Sequence, residues 1–382
     1  MSKDWNLFGL GDLGVLRFRG PDAVKFLQGQ LSNDVDKLSA ERSQLAGYHN
    51  PQGRVIALIR LVQWAADDVL AILPRELIAT VTSRLTKFVL RAKVKITDES
   101  LGWRVAGLVA PHSPPQTSNG GEASNADVSA AFEARSMSWA AAQFASASAT
   151  AAASGEVDSA AGQLEEGDGV VELPTASAFM LPDVSGAQSR SGATVVVRVG
   201  ATPARWLILS PVDEPVPLSG CGVGERDTWR LLDIADGFAQ VYAATSEEFV
   251  AQMLNLDALG GIAFDKGCYT GQEVIARAHY RGRVKRRMQR FFSRGVLKLA
   301  AGESGQLADG RTFKVVDAVR LANGRCEFLA VAPLVAGVME ETAPGTVSPA
   351  TNTPATERLA KESPAGTTVD AEVLPLAYPL PD

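Results

Sequence analysis

From Pro111 to about Gly192 the chain is dominated by Ala, Ser, Gly and Glu, as in ASASATAAASGEVDSAAGQ. Alanine buries too little area to offset the entropy of ordering a backbone. This stretch, 111–191, is therefore expected to be a long, largely disordered insertion, with one candidate helix near Phe132 to Phe144. A second run of this kind, ETAPGTVSPATNTPATERLAKESPAG, gives a disordered loop near 341–367. Any core has to be assembled from pieces that these runs hold apart in sequence.

The first piece, 1–110, reads as compact α+β. Val15 to Phe18 is a short strand, and Gly20-Pro21-Asp22 then opens a helix with Pro21 at the favoured first position. Asn50-Pro51-Gln52-Gly53 is a turn between strands at about 43–49 and 54–64. Val69 to Leu73 is another strand. Pro74 to Leu90 places Leu77, Ile78, Val81, Leu85, Phe88 and Val89 on one helical face. Strand patterns return at Val94 to Thr97 and Trp103 to Val109, and again after the insertion at Val195 to Val199 and Trp206 to Leu209, in a second part spanning 192–290. Three strand-like runs, VKRRMQRFFS, TFKVVDAVRL and CEFLAVAPLV, precede the second loop and AEVLPLAYPL follows it. That pattern predicts a small β-barrel over 291–382 whose last strand is delayed.

Hydrophobic residues make up 46% of the 382 and charged residues 21%, a globular composition. The formal net charge of -6 excludes a protein built as a whole to coat nucleic acid or an anionic membrane. Three scattered cysteines, Cys221, Cys268 and Cys326, make a poor disulfide framework and favour a reducing compartment. No secretory leader or membrane-spanning run is visible, so a cytoplasmic monomer is expected.

Residues 266–273, KGCYTGQE, hold the chemistry. Thr270-Gly271-Gln272-Glu273 fits a capping box, with Thr270 accepting from the Glu273 N–H, and predicts a helix over Gly271 to Tyr280. Cys268 then stands at a helix amino terminus beside Lys266, where a thiolate is favoured, while Glu273 opposes that shift. Two readings stand: a reactive thiol, or a small buried hydrophobe. Downstream, Arg277, Arg281, Arg283, Lys285, Arg286 and Arg287 surround His279 and Tyr280. That basic run can hold an anionic ligand, dock RNA phosphates, or be solvated. His279 has no second ligand at metal spacing, so no metal site is expected.

The run LNLDALGGIAFDKGCYTGQEVIARAHYRGRVKRR resembles the signature of the YgfZ family of folate-binding proteins, whose hallmark is K-G-C-Y-x-G-Q-E. GPDAVKFLQGQLSNDV, NPQGRVIALIRL, WRLLDIADGF and AEVLPLAYPL resemble other segments of that family, so the likeness spans nearly everything outside the two low-complexity runs. It implies a fold similar to the T-protein of the glycine cleavage system, with α+β domains around a central folate pocket and a small carboxyl-terminal β-barrel. It implies tetrahydrofolate as cofactor and a role in assembling or repairing iron–sulfur clusters, with such assembly or client proteins as partners and effects on cluster-dependent tRNA-modifying enzymes. Carried onto this sequence, Cys268 is the functional thiol, with Lys266, Tyr269, Gln272 and Glu273 beside it. Trp229, Gly267, Gly271 and Arg277 are the folate contacts. Leu13 stands where some members carry a second tryptophan.

Two alternatives remain. In a true aminomethyltransferase an aspartate just after the strand turn assists methylene transfer, but Ala57 and Leu58 occupy those positions and neither can exchange a proton. An RNA-binding module acting on tRNA through the basic run has no accompanying motif.

Overall fold

Two sheets facing each other carry the cavity described below. The first contains five antiparallel strands in the order Gln44–His49, Val55–Ala65, Asp68–Pro74, Leu13–Arg19, Lys95–Asp98. The computed structural model describes residues 5–111, 181–214, 221–281, 284–334 and 368–381; the candidate helix near Phe132 to Phe144 and the loop 341–367 lie outside them. The Asn50–Gly53 turn forms because the Asn50 side-chain oxygen accepts from the backbone N–H groups of Gln52 and Arg54, both at 3.0 Å.

Side-chain alternation sends this sheet's two faces to different cores. Val69, Ala71 and Leu73 pack on α1 (Ala23–Gln28) and α2 (Arg75–Val89). Leu77, Ile78, Val81 and Leu85 of α2 meet them at helical spacing. Leu13, Val15, Leu70 and Ile72 point the other way, into a core shared with the second sheet.

The second sheet runs Gly222–Gly224, Asn6–Gly9, Trp103–Val109, Arg205–Pro211, Thr194–Gly200, Gln188–Ser191. Its last strand falls inside the span read as insertion. QSRS has no apolar alternation because it is an edge strand paired on one side only, which hides it from a hydrophobicity pattern. Helix α3 (Arg226–Ala235) closes one end of the seam between the sheets, placing Trp229 and Leu232 in their shared core.

The carboxyl-terminal strands are ordered Thr368–Val369, Ser304–Leu307, Thr312–Arg320, Cys326–Pro333, Arg286–Ser293, Ala371–Leu374. The two edge strands of this sheet are separated by Asp370 alone. One segment thus pairs with both ends of the sheet and turns it into a nearly closed barrel, leaving little open edge. The barrel begins at Arg286, five residues before the boundary read from sequence. Beyond Leu374 the chain turns back to the two-sheet body. Tyr378 Oη donates to the Gly237 carbonyl at 2.7 Å and accepts from the Asn255 amide at 3.2 Å. Among the described residues no helix is long and apolar enough to cross a membrane.

Candidate functional site

A cavity of about 470 Å³ opens at the seam between the two sheets and α3. Its apolar walls are Leu13 and Ile72 from one sheet, Val199 and Leu207 from the other, and Trp229 from α3. The indole fits because Gly107 opposite it has no side chain: a Cβ there would overlap the ring. Its other neighbours are Phe8, at a centroid distance of 5.7 Å, and the Arg205 guanidinium, 4.9 Å from the ring centre.

Charge in the cavity runs against that of the whole protein. Lys37, Arg42, Arg60, Arg205 and Arg226 line it, against the carboxylates of Asp233 and Asp236. Arg205 is 1% exposed and donates to Asp233 at 2.8 Å and to Asp236. Burial pushes the Asp233 carboxyl above its ordinary range, with Arg205 opposing. Arg226 is fixed by the Asp12 carboxylate at 2.6 and 2.8 Å and donates to Tyr242 Oη at 3.0 Å. Arg60 is held by no carboxylate among the described residues, and burial lowers its pKa to about 10. Several polar atoms at this wall are buried without a partner: Arg205 Nε, Arg226 Nη1, Gln44 Oε1 and Gln240 Oε1. A native interior satisfies nearly all its buried polar groups, and these four belong to the wall of a cavity that water or a ligand can enter.

The KGCYTGQE segment lies elsewhere. Cys268 is exposed and is absent from the cavity lining, as are Lys266, Gly267, Tyr269, Gly271, Gln272, Glu273 and Arg277. The thiol expected at the amino terminus of a capped helix therefore stands apart from the cavity. Helix α4 (Gln272–Arg281) begins one residue late, because Gly271 adopts a φ of +83°. A side chain there would stand 2.5 Å from the Asn50 carbonyl, so the glycine lets the segment close onto the Asn50–Gly53 turn. The displaced start leaves no capping box. Glu273 instead pairs with Arg277 at 2.8 Å in open solvent, the ordinary i,i+4 helix pair, which accounts for both side chains without a folate. Gln272 donates weakly to the Lys266 carbonyl at 3.5 Å. Gly267 has open space where a Cβ would stand.

Lys266 serves as a bracket. Its ammonium donates to the carbonyls of Gln28, Leu31 and Asn33, each at 2.7 Å, and lies 5.1 Å from the Tyr269 ring centre. Burial lowers its pKa to about 8. The bracketed carbonyls run from the last residue of α1 to Asn33, which with Lys37 lines the cavity, so the motif touches the site through the chain it holds. Tyr269 is buried against His49, with ring centres 6.2 Å apart, and burial raises its phenol to about 12.

His49 is 1% exposed and neither ring nitrogen meets a partner at hydrogen-bond geometry. Burial lowers its pKa to about 3, the backbone of Gly53 opposing slightly. The unfolded chain takes up this proton near pH 6.5 and the folded chain does not. Its contribution to stability is therefore whole above that pH and is lost as pH falls from about 6.5 toward 3. At pH 5.5 the loss is expected to be about 1.4 kcal/mol, measured by urea unfolding at pH 7.5 and 5.5 and absent in His49→Leu. An equal acid slope in the variant overturns the assignment.

Sequence reading found Trp229 and Leu13 on the cavity wall but missed Arg60, Arg205, Arg226, Asp233 and Asp236. A signal for three of these was present: Arg226, Trp229, Asp233 and Asp236 recur at spacings of three and four, along one face of α3 and its carboxyl-terminal cap. Nothing in sequence announced Arg60 or Arg205, which are ordinary strand arginines until the sheets are paired. The basic run does not converge either. Arg287 is buried against Asp257 at 2.8 Å and Arg286 bonds the barrel's Thr312, while Arg283 lies outside the described residues.

No protein-family model matches the chain. It is 28% identical over 330 residues to the "tRNA-modifying protein YgfZ" of Cronobacter sakazakii, covering 84% of this chain and 82% of that protein. The protein of the same name from Yersinia pseudotuberculosis is 28% identical over 327 residues, with 83% and 81% covered. Among solved structures, the glycine cleavage system aminomethyltransferase T from Bartonella henselae superposes with a TM-score of 0.57 at 13% identity, over 87% of this chain and 79% of that one. The chain is thus a homologue of the curated proteins named tRNA-modifying protein YgfZ, built on the fold of the aminomethyltransferase T.

Proposed function

We propose that the chain binds a folate in the seam cavity and acts as an accessory protein linked to tRNA modification, through assembly or repair of the iron–sulfur clusters of modifying enzymes. The observation that carries the folate reading is the cavity wall: a net cationic lining within a protein of net charge -6, an indole, aliphatic walls and orphaned guanidinium and amide atoms. A pterin is a flat ring with a donor and acceptor edge, joined to an anionic glutamate. Leu13, Ile72, Leu207 and Trp229 suit the ring, Asp233 and Gln240 its edge, and Lys37 and Arg42, which belong to neither carboxylate of α3, the glutamate carboxylates. Tetrahydrofolate, when bound, carries one-carbon units. The chain's own contribution is to bind and orient it.

The aminomethyltransferase alternative finds no support at Ala57 and Leu58, which are 0% and 1% exposed in the cores on the two sides of their strand and do not line the cavity. Cys268 stands where another chain can reach it. One thiolate supplies one of the four ligands a [4Fe–4S] cluster takes, so a cluster contact there draws the rest from a partner.

Titration with tetrahydrofolate is expected to quench tryptophan fluorescence, and Trp229→Phe to weaken affinity about fivefold and remove most of the quench. Absence of binding to the wild type overturns the folate reading. Quenching undiminished in Trp229→Phe overturns the placement of the ring. For the thiol, Cys268→Ala is expected to fail to restore cluster-dependent tRNA-modifying activity in cells lacking the native protein; full restoration makes the thiol structural.

A further inference from the structure

Arg205, Arg226, Arg287 and Arg290 each stand against a carboxylate, and even the exposed Arg277 has Glu273. One surface, on the far side of the first sheet's helices, departs from this. Lys25, Lys87, Arg91, Lys93 and Lys95 are all exposed, and among the described residues none of their side chains has a hydrogen-bond or ion-pair partner. The end of α2 gathers them. Leu90, just past the helix, takes a φ of +41°, a place that glycine usually fills, and turns the chain toward the edge strand Lys95–Asp98. Lys87 and Arg91 flank that turn. Val89, Ala92, Val94 and Ile96 pack on the core of the first sheet, which leaves Lys93 and Lys95 on the outer side by alternation. Asp22, at the amino end of α1, accepts from the Lys93 backbone N–H at 2.7 Å and donates its own N–H to the Lys93 carbonyl at 3.4 Å. Lys25, three residues on, joins the same surface. Two apolar side chains share it, with Phe88 48% and Leu90 87% exposed.

Complementing the helix ends accounts for Lys25 and Lys87, and protecting a sheet edge accounts for Lys95. Neither accounts for five cations gathered without an ion pair on a chain of net charge -6. We propose that this face docks the phosphate backbone of RNA, with tRNA as a direct ligand of the chain and the Phe88 ring covering an unstacked base. The contact is direct, whereas in the role proposed above the link to tRNA runs through modifying enzymes. Two features favour RNA over an acidic protein. Lysine is depleted at the centres of protein interfaces, and two apolar side chains are too few to build the buried core such an interface needs. Interfaces with nucleic acid are instead polar and strongly cationic. Phosphates supply the counter-charge these side chains lack, and they fix position without reading sequence.

The test is titration of fluorescein-labelled bulk tRNA with the full chain, followed by anisotropy across a salt series. Binding is expected in low salt, with a slope of about -4 in log affinity against log salt. Lys93→Ala/Lys95→Ala is expected to weaken binding at least tenfold and to flatten the slope by about 2. Phe88→Ala is expected to weaken it about fivefold with the slope unchanged. Arg277→Ala/Lys285→Ala, on the segment after the KGCYTGQE motif, is expected to change neither. Thermal unfolding confirms that each variant folds. Absence of tRNA binding in low salt overturns the proposal and leaves the folate reading, which tetrahydrofolate titration tests separately. Binding that ignores salt, or that survives Lys93→Ala/Lys95→Ala intact, overturns it too, as does a loss confined to Arg277→Ala/Lys285→Ala. Vesicles of phosphatidylcholine and phosphatidylserine that capture the chain where tRNA does not would make the face a membrane contact and overturn the RNA assignment.

Discussion

Replacing Arg205 by methionine is expected to destabilise the protein by about 3 kcal/mol at pH 7 and to abolish measurable folate binding. The guanidinium is buried and serves two carboxylates at once, so its removal strands Asp233 and Asp236 with their charges uncompensated. The figure sits at the low end for a broken buried pair because both carboxylates keep an edge toward the cavity. The loss depends on pH in a defined direction. Without Arg205 the buried Asp233 carboxyl rises further above its unfolded value, so the folded variant holds a proton that the unfolded chain releases. Its stability deficit therefore shrinks as pH falls from 7 toward 5 and grows as pH rises. Urea unfolding of variant and wild type at both pH values checks this, since the contribution of His49 is common to the two and cancels. Arg205→Met/Asp233→Asn is expected to recover part of the loss. Additive effects in that cycle would sink the coupling.

Lys266→Met has the second largest expected effect, about 3 kcal/mol, felt locally. It removes the donor shared by three carbonyls and leaves those acceptors without a partner in a half-buried crevice. Backbone amides of residues 28–37 are expected to exchange with solvent at least tenfold faster, because the bracket holds that segment. The proposed folate affinity is expected to fall with them, since Asn33 and Lys37 line the cavity. Lys266→Arg is informative because it keeps the charge. A planar guanidinium cannot converge on three carbonyls as an ammonium does, so arginine is expected to behave like methionine. Normal exchange in Lys266→Arg would show that positive charge alone, rather than the ammonium's geometry, holds the segment.

Much of the frame was legible because it depends on local rules. The Asn50–Gly53 turn, the α2 stripe and the strands of the barrel announce themselves by turn chemistry and by periods of 3.6 and 2. The second sheet was harder. Gln188–Ser191 is polar throughout, and Asn6–Gly9 and Ser304–Leu307 are too short to establish an alternation. The motif is unusual in sequence, and none of its residues lines the seam cavity. Its lysine, placed by sequence beside the thiol, reaches instead to carbonyls more than two hundred residues away in the chain, as the Gln28 and Asn33 contacts show. Its glycine takes the position that a capping threonine was expected to hold. Electrostatics at the cavity was the least legible, because Arg60, Arg205 and Asp233 become neighbours only through packing of strands and helix far apart in sequence.

Ala377 lines the cavity from a tail that Tyr378 pins to Gly237 and Asn255. In order of synthesis, both sheets, α3 and most of the barrel leave the ribosome before this wall exists. A chain stopped before residue 377 can pair its strands and still lack this wall, so ligand capture is expected to depend on the docked tail. By the same logic, a protease cut just upstream of residue 377 is expected to weaken ligand capture while leaving the secondary structure almost untouched.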